Sequence, residues 1–283
     1  MYNIQNRVLI VNSFIKDSAA LLGGGVFFDK SNAVDVVRTD IQNNTATADS
    51  GGGIYANNGN SIWLNRTTIL KNQAVYNVGG LYLAYRNVFN LNRTVVQKNS
   101  AGTMGGGLYI QTDSKVTLTD LVTVSDNTAA FGGGGIALVQ APLWITATKG
   151  ARLMLTGNWA KRGSALYMEG LTSSSTVMCN TTFINNVASI GGTVFWMYEE
   201  NVMETQPAGL NSSTVQFINN TAGYGDIATQ EITLHVPLYY TVQQYESSLS
   251  PPLLVNMSDY YGQFVTSSNE SLVSITQSMT AYN

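Results

Sequence analysis

A pattern that returns every 27 or 28 residues constrains this chain more than any other feature. The apolar residue after each small-residue cluster falls at Val26, Ile54, Leu81, Leu108, Ile136, Leu166, Val194 and Ile227, in steps of 28, 27, 27, 28, 30, 28 and 33. A second column keeps the same register: Asp17, Asn44, Asn72, Asn99, Asn127, Asn158, Asn186 and Asn220. Alanine stands two residues after each, from Ala19 to Ala222. A period this short cannot bury an apolar face alone, so successive periods must stack.

The stacked unit reads as β-structure. Runs such as Ser61-Ile62-Trp63-Leu64, Lys115-Val116-Thr117-Leu118 and Thr214-Val215-Gln216-Phe217 alternate and are bounded by Gly, Asn and Ser, the signal of short strands and turns. About three such runs fill a period. The expectation is therefore an all-β fold, a right-handed parallel β-helix solenoid of about eight rungs, with the hand taken from the bias of parallel crossovers. Rungs ~4.8 Å apart stack like on like. The asparagines Asn44, Asn72, Asn99, Asn127, Asn158, Asn186 and Asn220 can then form an amide ladder along the axis. Stacking also explains why charged residues make up only 11% of the chain, because a charge in a column would face its own copy.

The pattern covers residues 1–232 and stops near Thr233. Residues 233–283 carry Pro237, Pro251 and Pro252, a strand–turn–strand run over 253–265 and a further run at Leu272–Ile275. They are expected to form a partial antiparallel β-module, either a cap or the start of a β-sandwich.

The motifs Gly52-Gly53-Ile54 and Gly79-Gly80-Leu81, with Phe183-Ile184-Asn185-Asn186, Phe217-Ile218-Asn219-Asn220 and the variant Phe14-Ile15-Lys16-Asp17, resemble those of the chlamydial polymorphic membrane proteins. Similar repeats occur in large surface proteins of algae and other protists. The resemblance implies a β-helix of pectin-lyase-like type, a cell-surface or extracellular location and an adhesin-like, non-catalytic role in which a repetitive face binds glycans or a surface protein. No membrane β-barrel pattern follows the repeats, and the tail is similar to extracellular sandwich modules of eukaryotes. A piece of a larger eukaryotic surface protein is expected, with any membrane attachment through segments outside this chain.

Several function classes lack their chemistry. Net charge −3 gives no general attraction to nucleic acid. One cysteine, Cys179, and one histidine, His235, supply neither a disulfide framework nor a multi-ligand metal site. The alternative class is a carbohydrate-active enzyme, a polysaccharide lyase or glycoside hydrolase of pectin-lyase-like fold. It needs paired carboxylates or acidic Ca²⁺ ligands with a base. Glu169, Glu199 and Glu231 sit at scattered offsets in their rungs, and no Lys or Arg follows Arg162. No catalytic, cofactor-binding or metal-ligating residue is assigned.

Two sets of residues remain as candidates. Arg38, Arg66 and Arg93 step by 28 and 27, with Lys71 and Lys98 as a shorter column beside them. Such a stripe fits a sulfated, uronic or phosphorylated partner, although solvated charges that block rung slippage would give the same pattern. Asn43, Asn65, Asn92, Asn180, Asn211, Asn219, Asn256 and Asn269 each begin an Asn-x-Ser/Thr triplet. They read as N-glycosylation acceptors of a secreted chain, or as a by-product of an Asn- and Thr-rich repeat.

Overall fold

The computed structural model describes residues 6–141, 143–145, 151–170, 179–197, 210, 213–229, 233–235 and 255–265. Within them the chain coils into a parallel β-solenoid. Each turn visits four strands, for example Asn32–Val37, Asp40–Gln42, Thr45–Ala46 and Ile54–Asn58, which belong to sheets A, B, C and D in that order. The expected three strands per turn undercounted by one. Sheet C is built from two-residue strands such as Thr45–Ala46 and Gln73–Ala74, too short to show as an alternating run.

Sheets A, B, C and D hold 6, 8, 7 and 8 strands. Six turns are thus complete. Two more contribute to sheets B and D, and among the described residues they supply no strand to sheet A. The eight apolar markers are register partners through sheet D, beginning Val26↔Ile54↔Leu81↔Leu108.

The first turn departs from the expected register by one residue. Ala20, not Ala19, pairs with Ala46, and the Ser18 N–H, not Asp17, meets the Asn44 Oδ1 at 3.1 Å. Likewise Ile15 pairs with Ile41, while Phe14 points outward and is 70% exposed. The Phe-x-x-Asn reading of Phe14–Asp17 is therefore corrected. The core column needs an inward side chain, and a slip of one residue sends Phe14 to solvent.

Inward side chains fill the cross-section. Ile41, Ile62, Leu64, Ile69, Phe89 and Leu91 are fully buried, and Phe183 stacks on Phe217 with ring centroids 4.7 Å apart. The glycine runs have a steric cause. A Cβ on Gly52 would lie 2.6 Å from the Gly79 carbonyl oxygen and would collide with that of Gln73, so only glycine lets this segment lie against the backbone of sheet C.

Polar ladders run inside the coil. The Asn72 Oδ1 accepts the Asn44 backbone N–H and Nδ2, both at 3.0 Å, and the Asn72 Nδ2 donates to Ile41 O at 2.9 Å and Asn99 Oδ1 at 3.0 Å. The same four bonds recur at Asn99, Asn127, Asn158 and Asn186. Every amide capacity is used, which is what burial of an asparagine demands. A second ladder, Asn32, Asn60 and Asn87 ending on Ser114, lines the opening of sheet A.

Outside sheet D a layer of aromatic residues covers the strands. Phe27, Tyr55, Tyr82 and Tyr109 follow one another at centroid spacings of 5.3, 4.7 and 5.4 Å. Beyond the solenoid, Thr233–His235 pairs antiparallel with Asn256–Ser258. The buried Asp259 carboxylate accepts N–H bonds from Thr229, Tyr261 and Gln263 and from the Gln263 side chain, at 2.9 to 3.1 Å. This turn therefore closes over the last strand of sheet D. The Leu272–Ile275 run lies outside the described residues.

Candidate ligand-binding corner

The backbone must bend sharply between sheets A and B and again between B and C. It does so with single residues in the left-handed region. At the A–B corner these include Asn12, Arg38, Arg66, Arg93 and Asn180, with φ between 46° and 54°. At the B–C corner they are Asp17, Asn43, Lys71, Lys98, Asp126, Gly157, Asn185 and Asn219, with φ between 51° and 63°. Asn, Asp and Gly suit this conformation. An arginine or lysine there costs roughly 1–2 kcal/mol.

The five basic candidates thus stand on two parallel edges, five residues apart in each turn, with the outer face of sheet B between them. Main-chain bonds fix the stacking: the Arg38 N–H donates to Asn65 O and the Arg66 N–H to Asn92 O, both at 2.9 Å. All five side chains are exposed.

Both ends of the arginine column are tied. The Arg38 Nε donates to Asn12 Oδ1 at 2.8 Å and the Arg93 Nε to Asp120 Oδ2 at 2.7 Å. The Leu121 backbone N–H, and then Arg93, hold the Asp120 carboxyl below the usual carboxylate range. Among the described residues, the Arg66 guanidinium and the Lys71 and Lys98 ammonium groups meet no acceptor. Stacked cations ~4.8 Å apart repel by about 1 kcal/mol per pair even in water. The corner is therefore costly to the fold, and among the described residues only Arg38 and Arg93 of the five meet a partner that offsets part of that cost.

Arg152, register partner of Leu121 at the start of the sixth strand of sheet B, adds a cation on this side. Sequence spacing missed it because the fifth and sixth turns are longer. The left-handed geometry was missed too, although the signal was present: the same columns carry Asn, Asp or Gly in other turns.

The sequon asparagines are scattered by contrast. Asn43, Asn65, Asn180, Asn219 and Asn256 are exposed and Asn92 is half-buried. Asn211 and Asn269 lie outside the described residues. Asn65 and Asn92 are register partners, each directly before a stripe arginine. The threonines of these two triplets are buried, and the Thr67 and Thr94 hydroxyls donate to Val36 O and Leu64 O of the preceding turn at 3.1 and 3.3 Å.

Other candidates find ordinary settings. Glu169 accepts the Tyr167 hydroxyl at 3.2 Å, while Glu199 and Glu231 lie outside the described residues. Cys179 packs partly buried on the core, and burial pushes its thiol up. His235 meets the Ser258 hydroxyl at 2.8 Å. Trp196 is buried, whereas Trp63 and Trp159 are 53% and 41% exposed. Among the described residues, no three His, Cys, Asp or Glu side chains converge as a metal site would require.

No family model, no curated protein and no solved structure matches this chain.

Proposed function

We propose that this chain is a non-catalytic, surface-exposed β-solenoid of adhesin type whose basic corner binds an acidic glycan. The observation that carries the reading is the occupancy of left-handed positions by Arg38, Arg66, Arg93, Lys71 and Lys98. Of these, Arg66, Lys71 and Lys98 meet no acceptor among the described residues, and strained residues of that kind mark sites where a ligand can supply the compensation. A rigid row of cations ~4.8 Å apart presents one positive group per rung to a chain of regularly spaced sulfates or carboxylates. The resemblance of the repeats to polymorphic membrane proteins supports an extracellular, glycan-facing setting.

Retention on immobilised heparin and polygalacturonate, with neutral dextran as reference, tests this reading. The whole chain is expected to bind both polyanions and to release with salt. Arg38→Gln/Arg66→Gln/Arg93→Gln should lower the slope of log K against log salt by about two to three, one for each lost contact. Unchanged retention of the triple variant would remove the corner from consideration.

A further inference from the structure

We infer that Asn65 is a glycan acceptor whose occupation covers the arginine column, so that the basic corner is open only in the unglycosylated chain. The inference rests on the basic-corner reading and adds its regulation. Two of the sequons are interleaved with the stripe. Asn65-Arg66-Thr67 and Asn92-Arg93-Thr94 occupy equivalent positions of neighbouring turns. Each acceptor carbonyl holds the N–H of the arginine one turn back, Arg38 on Asn65 and Arg66 on Asn92. A sugar on Asn65 therefore leaves the surface beside Arg66 and within one rung, ~4.8 Å, of its two neighbours.

The two asparagines are not equivalent. The Asn92 Nδ2 donates to the Thr119 hydroxyl at 3.2 Å and the residue is half-buried. Asn65 is exposed, and among the described residues its side-chain amide has no partner. Two bulky glycans cannot leave side by side from positions one rung apart, so Asn65 is the one that carries it. The Thr67 hydroxyl is buried in the finished fold, so attachment belongs to the growing chain, before that turn closes. Of the other exposed acceptors, Asn43 gives its side-chain amide to Asp17 Oδ1 at 3.3 Å on the B–C edge, Asn180 stands three turns beyond Arg93, and Asn219 and Asn256 lie at the B–C corner of the last turn and on the end cap, away from the arginines.

The test compares the full chain made in bacteria with the full chain secreted from a glycosylating eukaryotic cell. Glycopeptide mass spectrometry reads occupancy, and immobilised heparin reads the corner. The expected result is occupancy at Asn65, with the secreted chain eluting at distinctly lower salt than the bacterial one. Asn65→Gln should restore the bacterial elution position, and Asn219→Gln/Asn256→Gln should not. An unoccupied Asn65, or an occupied one with unchanged heparin retention, overturns the masking and leaves the basic-corner reading standing. If the bacterial chain itself ignores heparin, that reading fails and the masking falls with it.

Discussion

Turns two to four and turns six to eight meet the same two corners with different residues. At the B–C corner the first group has Asn43, Lys71 and Lys98, the second Gly157, Asn185 and Asn219, all with positive φ. The backbone demand is identical. Asparagine and glycine meet it at low cost, whereas the lysines and arginines of the other turns meet it at a higher one, as Arg86 does at the corner between sheets D and A. The contrast extends along the cylinder. Residues 1–162 hold 14 basic and 8 acidic side chains, whereas residues 163–283 hold no basic and 9 acidic ones. The net charge of −3 hides a basic first stretch of sequence and an acidic second one.

The interior makes no such distinction between the ends, which gives the sharpest check. Asn99 and Asn186 occupy the same fully bonded ladder on either side of the charge divide. Asn99→Ala and Asn186→Ala should each cost about 3 kcal/mol or more in chemical denaturation, because each leaves buried backbone and amide groups without partners. Unequal costs would mean that the two halves differ in their cores as well as at their corners.

The outer aromatic layer predicts a second shared response, at high pH. Burial, and then the charge of Glu169, push the Tyr109 hydroxyl up to about 12. Burial raises Tyr82 and Tyr167 as well. In the unfolded chain tyrosine ionises near pH 10. The folded state thus holds its protons longer, so this contribution to stability is complete below pH ~10 and is lost as the pH rises towards about 12. Denaturant midpoints should fall steadily across that window, and a flat profile would contradict the buried phenols.

At the corners the halves should diverge, by a smaller amount. Arg66→Gly removes a left-handed arginine and two like-charge neighbours, so stability should rise by about 1 kcal/mol. Asn185→Lys imposes the strained choice on the other half and should lower it by a fraction of that. A loss of stability in Arg66→Gly would assign the arginine a folding role.

The periodic columns were legible in the sequence because stacking forces like residues to recur: Ile54, Leu81 and Leu108, or Asn72, Asn99 and Asn127. Three things were hidden. Sheet C is too short to alternate. The first turn slips by one because Ser18 can replace the ladder asparagine through its backbone N–H. The aromatic residues outside sheet D sit one residue after six of the eight apolar markers, with alanine after Ile136 and Ile227, and only the structure shows that they pack on each other. The stripe was visible as spacing, whereas its strain shows in the sequence only through the Asn, Asp and Gly that other turns place in the same columns.

The central claim is that a polyanion lies along the A–B corner, and arginine footprinting tests it most directly. The whole chain is treated with an arginine-specific dicarbonyl reagent, with and without saturating heparin, and modification is read by peptide mass spectrometry. Without heparin, Arg66 should react fastest of the three, because Asn12 and Asp120 hold its neighbours. With heparin, Arg38, Arg66 and Arg93 should be protected together while Arg7 and Arg86, exposed elsewhere on the solenoid, react as before. Equal protection of all five, or of none, would contradict the account.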